Sequence, residues 1–474
     1  MSRGRLVVHG HFYQPRRADP FSGTVPREPS AAPYPDWTSR IDAECYRPNA
    51  ERGNFARISW DLGPTLASWL AEHDVAAYEA IVAQDRGVPG GMATGMAQGY
   101  HHAILPLATP ADRRTEIRWG LRDFELRFGR RPRGLWLPET AVDRLTLRLL
   151  VDEGVRHTIL APWQIAEKVD SRQPYRLDLG EGRSIIGVVY DGPLSSAVSF
   201  EPAATEDADR FSRERVPPRL ATAGSSPGSD PVTVVIATDG ELYGHHRQFR
   251  DQFLEHLVSS APDDPGRGFD IVTLDAALAD LRIDDLPAAD VVDDTSWSCH
   301  HGVLRWTADC EDVPDGRWKG PLRRAFDRLA AGIDALTDRA FAALPGAPDR
   351  LTLRDGYVDV VGGARDGAAF AEAEVPDSDA AARSRVLVLL EAQRWRLAMY
   401  ASDGWYWEDP ERVETRQVMR AAARAARGVD AELGSRLEMR LLDDLRALVS
   451  PSSGADGAAI YRSALEEVGQ PPPA

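Results

Sequence analysis

No run of apolar residues in this 474-residue chain approaches the ~20 needed to cross a bilayer, so no membrane-spanning helix is expected. The N-terminal Leu6-Val7-Val8 is too short for the core of a secretory signal. Cysteine is scarce: Cys45, Cys299 and Cys310 cannot all pair, and their spacing is not that of a zinc site. This usage predicts a reducing compartment, hence the cytoplasm. Positive charge is the minority sign. With 56 basic against 73 acidic residues the chain carries −17, spread along its length rather than held in one tail. Such a surface repels phosphate backbones and anionic lipid, which argues against nucleic acid and membranes as partners and suits neutral or cationic substrates.

What is present is ordinary in bulk, 43% hydrophobic and 27% charged, and long enough for one large core and a second. The first 300 or so residues alternate short apolar runs with amphipathic stretches. Strands are expected at Arg5–His9, Arg133–Leu137, His157–Leu160, Ser184–Tyr190, Val232–Ala237 and Asp270–Leu274. Ile117, Leu121, Phe124 and Phe128 recur at helical spacing within Asp112–Phe128, and Arg144–Glu153 reads as a helix closed by Gly154. Strands alternating with helices predict a parallel α/β architecture, closed as a barrel or open. Gly23–Asn54 is expected to be a long loop, and Glu201–Asp230 a mobile insertion. From Lys319 onward the pattern turns helical, at Leu322–Leu336, Ser384–Met399, Arg412–Arg427 and Asp430–Ser450. The stretch Leu344–Asp379 reads as irregular, and the tail after Pro451 as frayed. A catalytic domain over 1–316 and an α-helical C-terminal domain over 317–474 follow.

Two segments place a carboxylate where a buried strand runs out: Trp136-Leu137-Pro138-Glu139 and Ala237-Thr238-Asp239-Gly240-Glu241. In barrels of parallel strands the chemistry sits at those C-terminal ends, and a facing acid and carboxylate are the minimum for cleaving a glycosidic bond. Taken singly, each is as well explained by a polar residue opening a loop. His9 and His11 alternate onto one face of the first strand, where such a pair either binds metal or hydrogen-bonds substrate hydroxyls. Asp239 to His246 packs two acids, Tyr243, His245 and His246 around Gly240 and Gly244, which let the backbone turn sharply and approach a ligand. Trp297, His300, His301, Arg305 and Trp306 suit a pocket wall or a packed loop before a helix. Tyr100-His101-His102 and Trp405-Tyr406-Trp407 form weaker aromatic clusters.

Taken together, these segments resemble glycoside hydrolase family 57. His9 to Pro15 is similar to its His-rich strand end closing in Gln-Pro, with Phe12 and Tyr13 interposed before Gln14-Pro15, so that both His9 and His11 stay candidates for the substrate-binding role. Trp136 to Glu139 resembles the nucleophile region, and Asp239 to Glu241 the acid/base region. Asn54 to Thr65, Gln98 to Leu107, Trp297 to Trp306 and Met399 to Trp405 resemble a bacterial subgroup with a C-terminal domain of unknown function. The resemblance implies an incomplete seven-stranded (β/α) barrel followed by helices, and retaining chemistry on an α-glucan or maltooligosaccharide. No metal or cofactor is implied. Glu139 would be the nucleophile and Asp239 the acid/base, the latter holding its proton at rest with help from burial and from the charge of Glu139. His9, His11, His245, His301 and Arg305 would contact hydroxyls, and Trp136, Trp297 and Trp405 would offer platforms for sugar rings. Amylase, glucanotransferase and branching activities share this equipment. A metal-dependent amidohydrolase or deacetylase using His9, His11 and Asp239 is the competing reading, and a non-catalytic glucan-binding protein a third.

Overall fold

The computed structural model describes residues 4–87, 92–221, 232–259 and 268–471. By its internal contacts the chain divides into two compact units, Met1–Gln14, Arg27–Gln98 and Arg127–Trp297 forming one, and Pro15–Pro26, Gly99–Leu126 and Ser298–Ala474 the other.

The first unit is built on parallel strands β1 (Gly4–Phe12), β2 (Ser59–Leu62), β3 (Gly95–Gln98), β4 (Leu135–Trp136), β5 (His157–Leu160), β6 (Tyr175–Gly180), β7 (Arg183–Val189), β8 (Thr233–Asp239), β9 (Phe269–Ile271) and β10 (Ala288–Ala289), of which β6 alone runs antiparallel to its partner β7. Their order is β4-β3-β2-β1-β8, with β9 beside the start of β1, and a second sheet runs β10-β6-β7-β5. A parallel bridge from Gly134 to His157 connects β4 to β5, and the Asp191 amide after β7 donates to the Val235 carbonyl in β8 at 2.7 Å. The sheet therefore curls into an incomplete barrel of parallel strands with intervening helices.

Alternation decides what fills it. Val7, His9 and His11 of β1 lie opposite Val235, Ala237 and Asp239 of β8 in register, and Val7, Val235 and Ala237 belong to one core with Trp136, Ile159, Ile186 and Val188. The lower rungs of the barrel are thus aliphatic, and the top rungs, at the C-terminal ends, carry His11 and Asp239.

Several expectations need correction. Gly23–Asn54 is no loop from Trp37 on: Asp36 caps a helix that runs from Trp37–Ile41 through a π-helical turn, Asp42–Tyr46, into Arg47–Glu51. Within the expected insertion, Ala208–Arg210, Phe211–Arg215 and Pro217–Leu220 are helical, while 222–231 lies outside the described residues. Strands β2, β3 and β6 had no expectation, and Asp270–Leu274 is extended only to Ile271, because Thr273 caps a helix beginning at Leu274.

The second unit is helical, with long elements at Pro110–Phe128 (as far as Leu126), Lys319–Ala342, Ala380–Ala398 and Val413–Leu433. The expected irregular stretch instead forms Arg350–Gly356, Val358–Val361 and Gly367–Glu374, and the expected frayed tail forms Gly457–Glu466. Four of these helices converge on buried charge. Asp112 binds Arg354 at 2.8 Å and Arg396 at 2.6 Å, and Arg396 reaches Asp334 at 2.8 Å. Among the described residues no helix is long and apolar enough to cross a membrane.

The clamp between the Trp37–Glu51 helix and the strand-end loop is open to a direct test. Gly244 has φ 149°, and a Cβ there would stand 2.2 Å from the Glu44 carbonyl, whereas at Gly182, also at positive φ, a Cβ meets nothing within 4 Å. Gly244→Ala is expected to lower stability by about 2–4 kcal/mol and Gly182→Ala by only about 1 kcal/mol, read from urea unfolding midpoints. Equal losses at the two positions would deny the clamp.

Candidate active site

At the top of the barrel one buried carboxylate organises the histidines. Asp61, in β2, is in register with His11, and its two oxygens accept from His9 Nε2 at 3.0 Å and His11 Nδ1 at 2.8 Å. Both imidazoles stack on the indole of Trp136, each at 4.9 Å between ring centroids. Burial lowers the pKa of His9. Burial acts on His11 in the same sense, but the charge and hydrogen bond of Asp61 and the charges of Asp239 and Glu241 outweigh it and raise His11 to about 9. One imidazolium and one neutral imidazole therefore share a single carboxylate, with the cation in register beside Asp239.

Glu139 stands on the other side of the same ring cluster. It follows β4 with φ 56° and ψ 21°, and Thr140 after it has φ 48°. Two successive non-glycine residues in the left-handed region cost on the order of 1 kcal/mol each, and such strain gathers where a side chain must be aimed. The aim is fixed twice by Trp297. Its indole N–H donates to Glu139 Oε2 at 3.2 Å, and its backbone N–H donates to the Glu139 carbonyl at 3.1 Å. Trp297 in turn meets the Trp136 ring at 5.0 Å and the His11 ring at 6.0 Å, both edge-on. His11, Trp136, Trp297 and Glu139 thus form one continuous set of contacts across the barrel mouth, with Asp239 in strand register beside His11.

The Asp239-to-Tyr243 segment is held from the Trp37–Glu51 helix. Asn49 Nδ2 donates to the Tyr243 carbonyl at 2.7 Å, Cys45 Sγ to the Gly240 carbonyl at 3.4 Å, and Tyr46 Oη to Glu241 Oε1 at 2.6 Å. The Tyr13 amide also donates to Glu241 Oε1, at 3.2 Å. The two acids of Asp-Gly-Glu have opposite surroundings. Asp239 is exposed at the strand end, against the expectation of a buried acid, and the buried member is Glu241. Burial, with the charge of Asp239, pushes Glu241 up to about 7.

Other expectations are corrected by packing. Trp136 is fully buried, so it supports the histidines rather than offering a sugar platform, and Trp405 is 1% exposed and packs edge-on to Phe326. Gly240 and Gly244 approach protein and not ligand: a Cβ on Gly240 would stand 2.3 Å from the Phe12 ring. His245 is bonded to Glu44 and meets the Trp37 ring edge-on at 5.9 Å. In the second unit Arg305 lies over the Tyr406 ring at 4.3 Å, and His301 stands beside Cys310 and Asp312. His102 and Ser402, from the weaker clusters, share a 2.6 Å hydrogen bond there. Among the described residues, four donors converging closely enough for a metal ion occur in that unit, at Cys299, His301, Cys310 and Asp312.

Sequence reading gave no role to Asp61, Tyr46 or Trp163. Trp163 follows β5 directly, is 51% exposed, and is steadied by its N–H to the Ser296 carbonyl at 2.9 Å. It therefore offers an open aromatic face at the same end of the strands as Glu139 and Asp239. Its signal was a tryptophan directly after a short apolar run and a proline. Asp61 showed as a lone acid between Trp60 and Leu62.

Comparison with known proteins bears on this geometry. The sequence model described as Glycosyl hydrolase family 57 matches residues 90–281. That stretch belongs to family 57. A second model, a domain of unknown function designated DUF3536, matches residues 315–468. No curated protein matches the chain in sequence. Among solved structures, an exo-type maltose-forming amylase from Pyrococcus sp. ST04 is similar with a TM-score of 0.75 at 15% identity, over 97% of this chain and 88% of its own. A GH57-type branching enzyme from Pyrococcus horikoshii has a TM-score of 0.59 at 15% identity, over 98% and 94%. A 4-alpha-glucanotransferase from Thermococcus litoralis has 0.56 at 14%, over 90% and 60%. At these identities the likeness is one of fold.

The environment of Glu241 sets a pH dependence. Its folded pKa of about 7 lies above the ordinary 4.5, so the folded chain keeps a proton that the unfolded chain releases. Stability then falls as pH rises from about 4.5 to about 7 and levels off above. Glu241→Gln cannot ionise, and removes a slope worth on the order of 3 kcal/mol over that window. Unfolding midpoints of wild type and variant at the two ends of the window check this, and parallel profiles would contradict it.

Proposed function

We propose that the barrel mouth is a retaining α-glucan active site in which Glu139 is the nucleophile and Asp239 the acid/base. The observation that carries this reading is the set of contacts from His11 through Trp136 and Trp297 to the Glu139 carboxylate, with Asp239 in strand register beside His11, at the C-terminal ends of parallel strands. The family 57 match and the α-glucan enzymes of like fold support it.

In the first step the Glu139 carboxylate attacks the anomeric carbon, the bond to the departing oxygen breaks, and Asp239 gives that oxygen its proton. In the second step Asp239 takes a proton from the acceptor hydroxyl, which displaces Glu139 from the anomeric carbon. The Trp297 N–H bonds Oε2, which orients the carboxylate and steadies its charge between steps. The His11 imidazolium places a positive charge beside Asp239 when it is ionised after proton donation. Trp163 offers a stacking face for a ring bound across the mouth. Water as acceptor gives hydrolysis, and a sugar hydroxyl gives transfer or branching.

The test uses maltooligosaccharides, amylose and glycogen with product sizing and anomeric analysis. Glu139→Ala and Asp239→Ala are each expected to lose about 10³-fold or more in turnover. Azide is expected to rescue the first variant as the inverted glycosyl azide and the second as the retained one. Exchanged stereochemistry would reverse the two roles, and unchanged turnover in both variants would end the proposal. Trp297→Phe keeps the packing but removes the N–H, and should lower kcat by about 10-fold with little change in KM.

A further inference from the structure

The loop from Ser298 to Trp318 has one short helical turn, Leu304–Trp306, as its only regular structure, yet it buries two free cysteines, Cys299 and Cys310. A segment of that length without regular hydrogen bonding needs another source of order. Its own side chains supply a donor set. Cys299 and His301 come from one arm and Cys310 and Asp312 from the other, each arm giving donors at i and i+2.

The donors approach in the way ligands around one ion do. Cys299 Sγ and Cys310 Sγ are 3.6 Å apart, Cys310 Sγ and His301 Nδ1 are 3.4 Å apart, and His301 Nδ1 and Asp312 Oδ2 are 3.5 Å apart. All four donors lie within 4.8 Å of one another. Metal bonds of 2.0–2.3 Å in a tetrahedron set ligand-to-ligand edges of about 3.3–3.8 Å, and the three separations fall in that range. The surroundings match a metal's outer shell as well. The His300 amide donates to Asp312 Oδ2 at 2.8 Å, and Glu311 stands 3.9 Å from the second nitrogen of His301. Gly302, at φ 76°, turns the first arm, and its N–H donates to the Cys299 carbonyl at 3.2 Å.

We infer that Cys299, His301, Cys310 and Asp312 form a structural zinc site that staples this loop. Two thiolates and an imidazole select a borderline-soft ion, and four protein ligands close a tetrahedral site with no position left for water or substrate. A Cys299–Cys310 disulfide would use the sulfurs alone and would give His301 and Asp312 no reason to converge on the same point. The inference is independent of the glycosidase reading, because no residue of the site takes part in that chemistry.

The test starts from full-length protein purified without chelators. Elemental analysis is expected to find about one zinc per chain, against a small fraction of that in Cys310→Ser and His301→Ala. Since such variants are liable to unfold, the second measurement uses the wild-type chain. After exchange of zinc for cobalt, thiolate-to-cobalt charge-transfer bands and the intense visible bands of a tetrahedral ion are expected. Those bands should persist in Cys45→Ser, whose thiol lies in the other unit. Chelator treatment should lower the Tm of the wild type, and added zinc should restore it. A metal-free protein whose cobalt form lacks the charge-transfer bands would overturn the inference. So would a Cys299–Cys310 disulfide recovered after alkylation of the native protein.

Discussion

Everything at the barrel mouth leans on Asp61, a buried carboxylate that two imidazoles share. A lone carboxylate in that position would face the full cost of desolvation, and the two buried histidines without it would lose the strong acceptor they share. Together they settle into an uneven pattern, in which burial lowers the pKa of His9 while Asp61 and the other nearby carboxylates raise that of His11. The flat face of Trp136 holds both rings parallel, so the donor geometry and the stacking geometry fix each other. Asp239 and Trp297 are placed against that fixed frame, one by strand register and the other by edge contact. Tryptophan at 136 therefore acts through the histidines, although the same residue type at the surface would have been read as a sugar platform.

The Asp-Gly-Glu segment shows how one short sequence gives two carboxyl groups different lives. Glycine at 240 lets the chain pass against the Phe12 ring, which sends Glu241 inward to Tyr46 and leaves Asp239 at the open end of β8. Glu241 can be tolerated inside because burial and the charge of Asp239 raise its pKa to about 7, so that near neutrality it spends much of its time uncharged. The π-helical turn Asp42–Tyr46 widens the helix at the point where Cys45 and Tyr46 must both reach this segment, a use for which such turns recur at functional sites.

Much of this was legible, and the parts that were not share physical reasons. Strands β1, β5, β7 and β8 announced themselves because they are Val- and Ile-rich and buried on both faces. Strands β2 and β3 did not, since Ser59–Leu62 and Gly95–Gln98 are four residues long and carry Asp, Gly and Gln where a pattern needs aliphatics. The Trp37–Glu51 helix was hidden by Pro48 and by a capping residue, Asp36, that also looks like loop composition. Local sequence cannot reveal that Pro48 sits near the start of a helical turn, where its missing N–H is no loss. Glu139 and Asp239 stood out as carboxylates at strand ends, whereas Asp61 acquires its meaning only from residues fifty positions away in sequence.

Cysteine spacing gave no sign of the Cys299, His301, Cys310 and Asp312 cluster for a related reason. Zinc patterns are recognised by pairs of like ligands a few residues apart, whereas here each arm mixes a cysteine with a different donor, so the chain shows no repeated motif. Only folding brings the arms together.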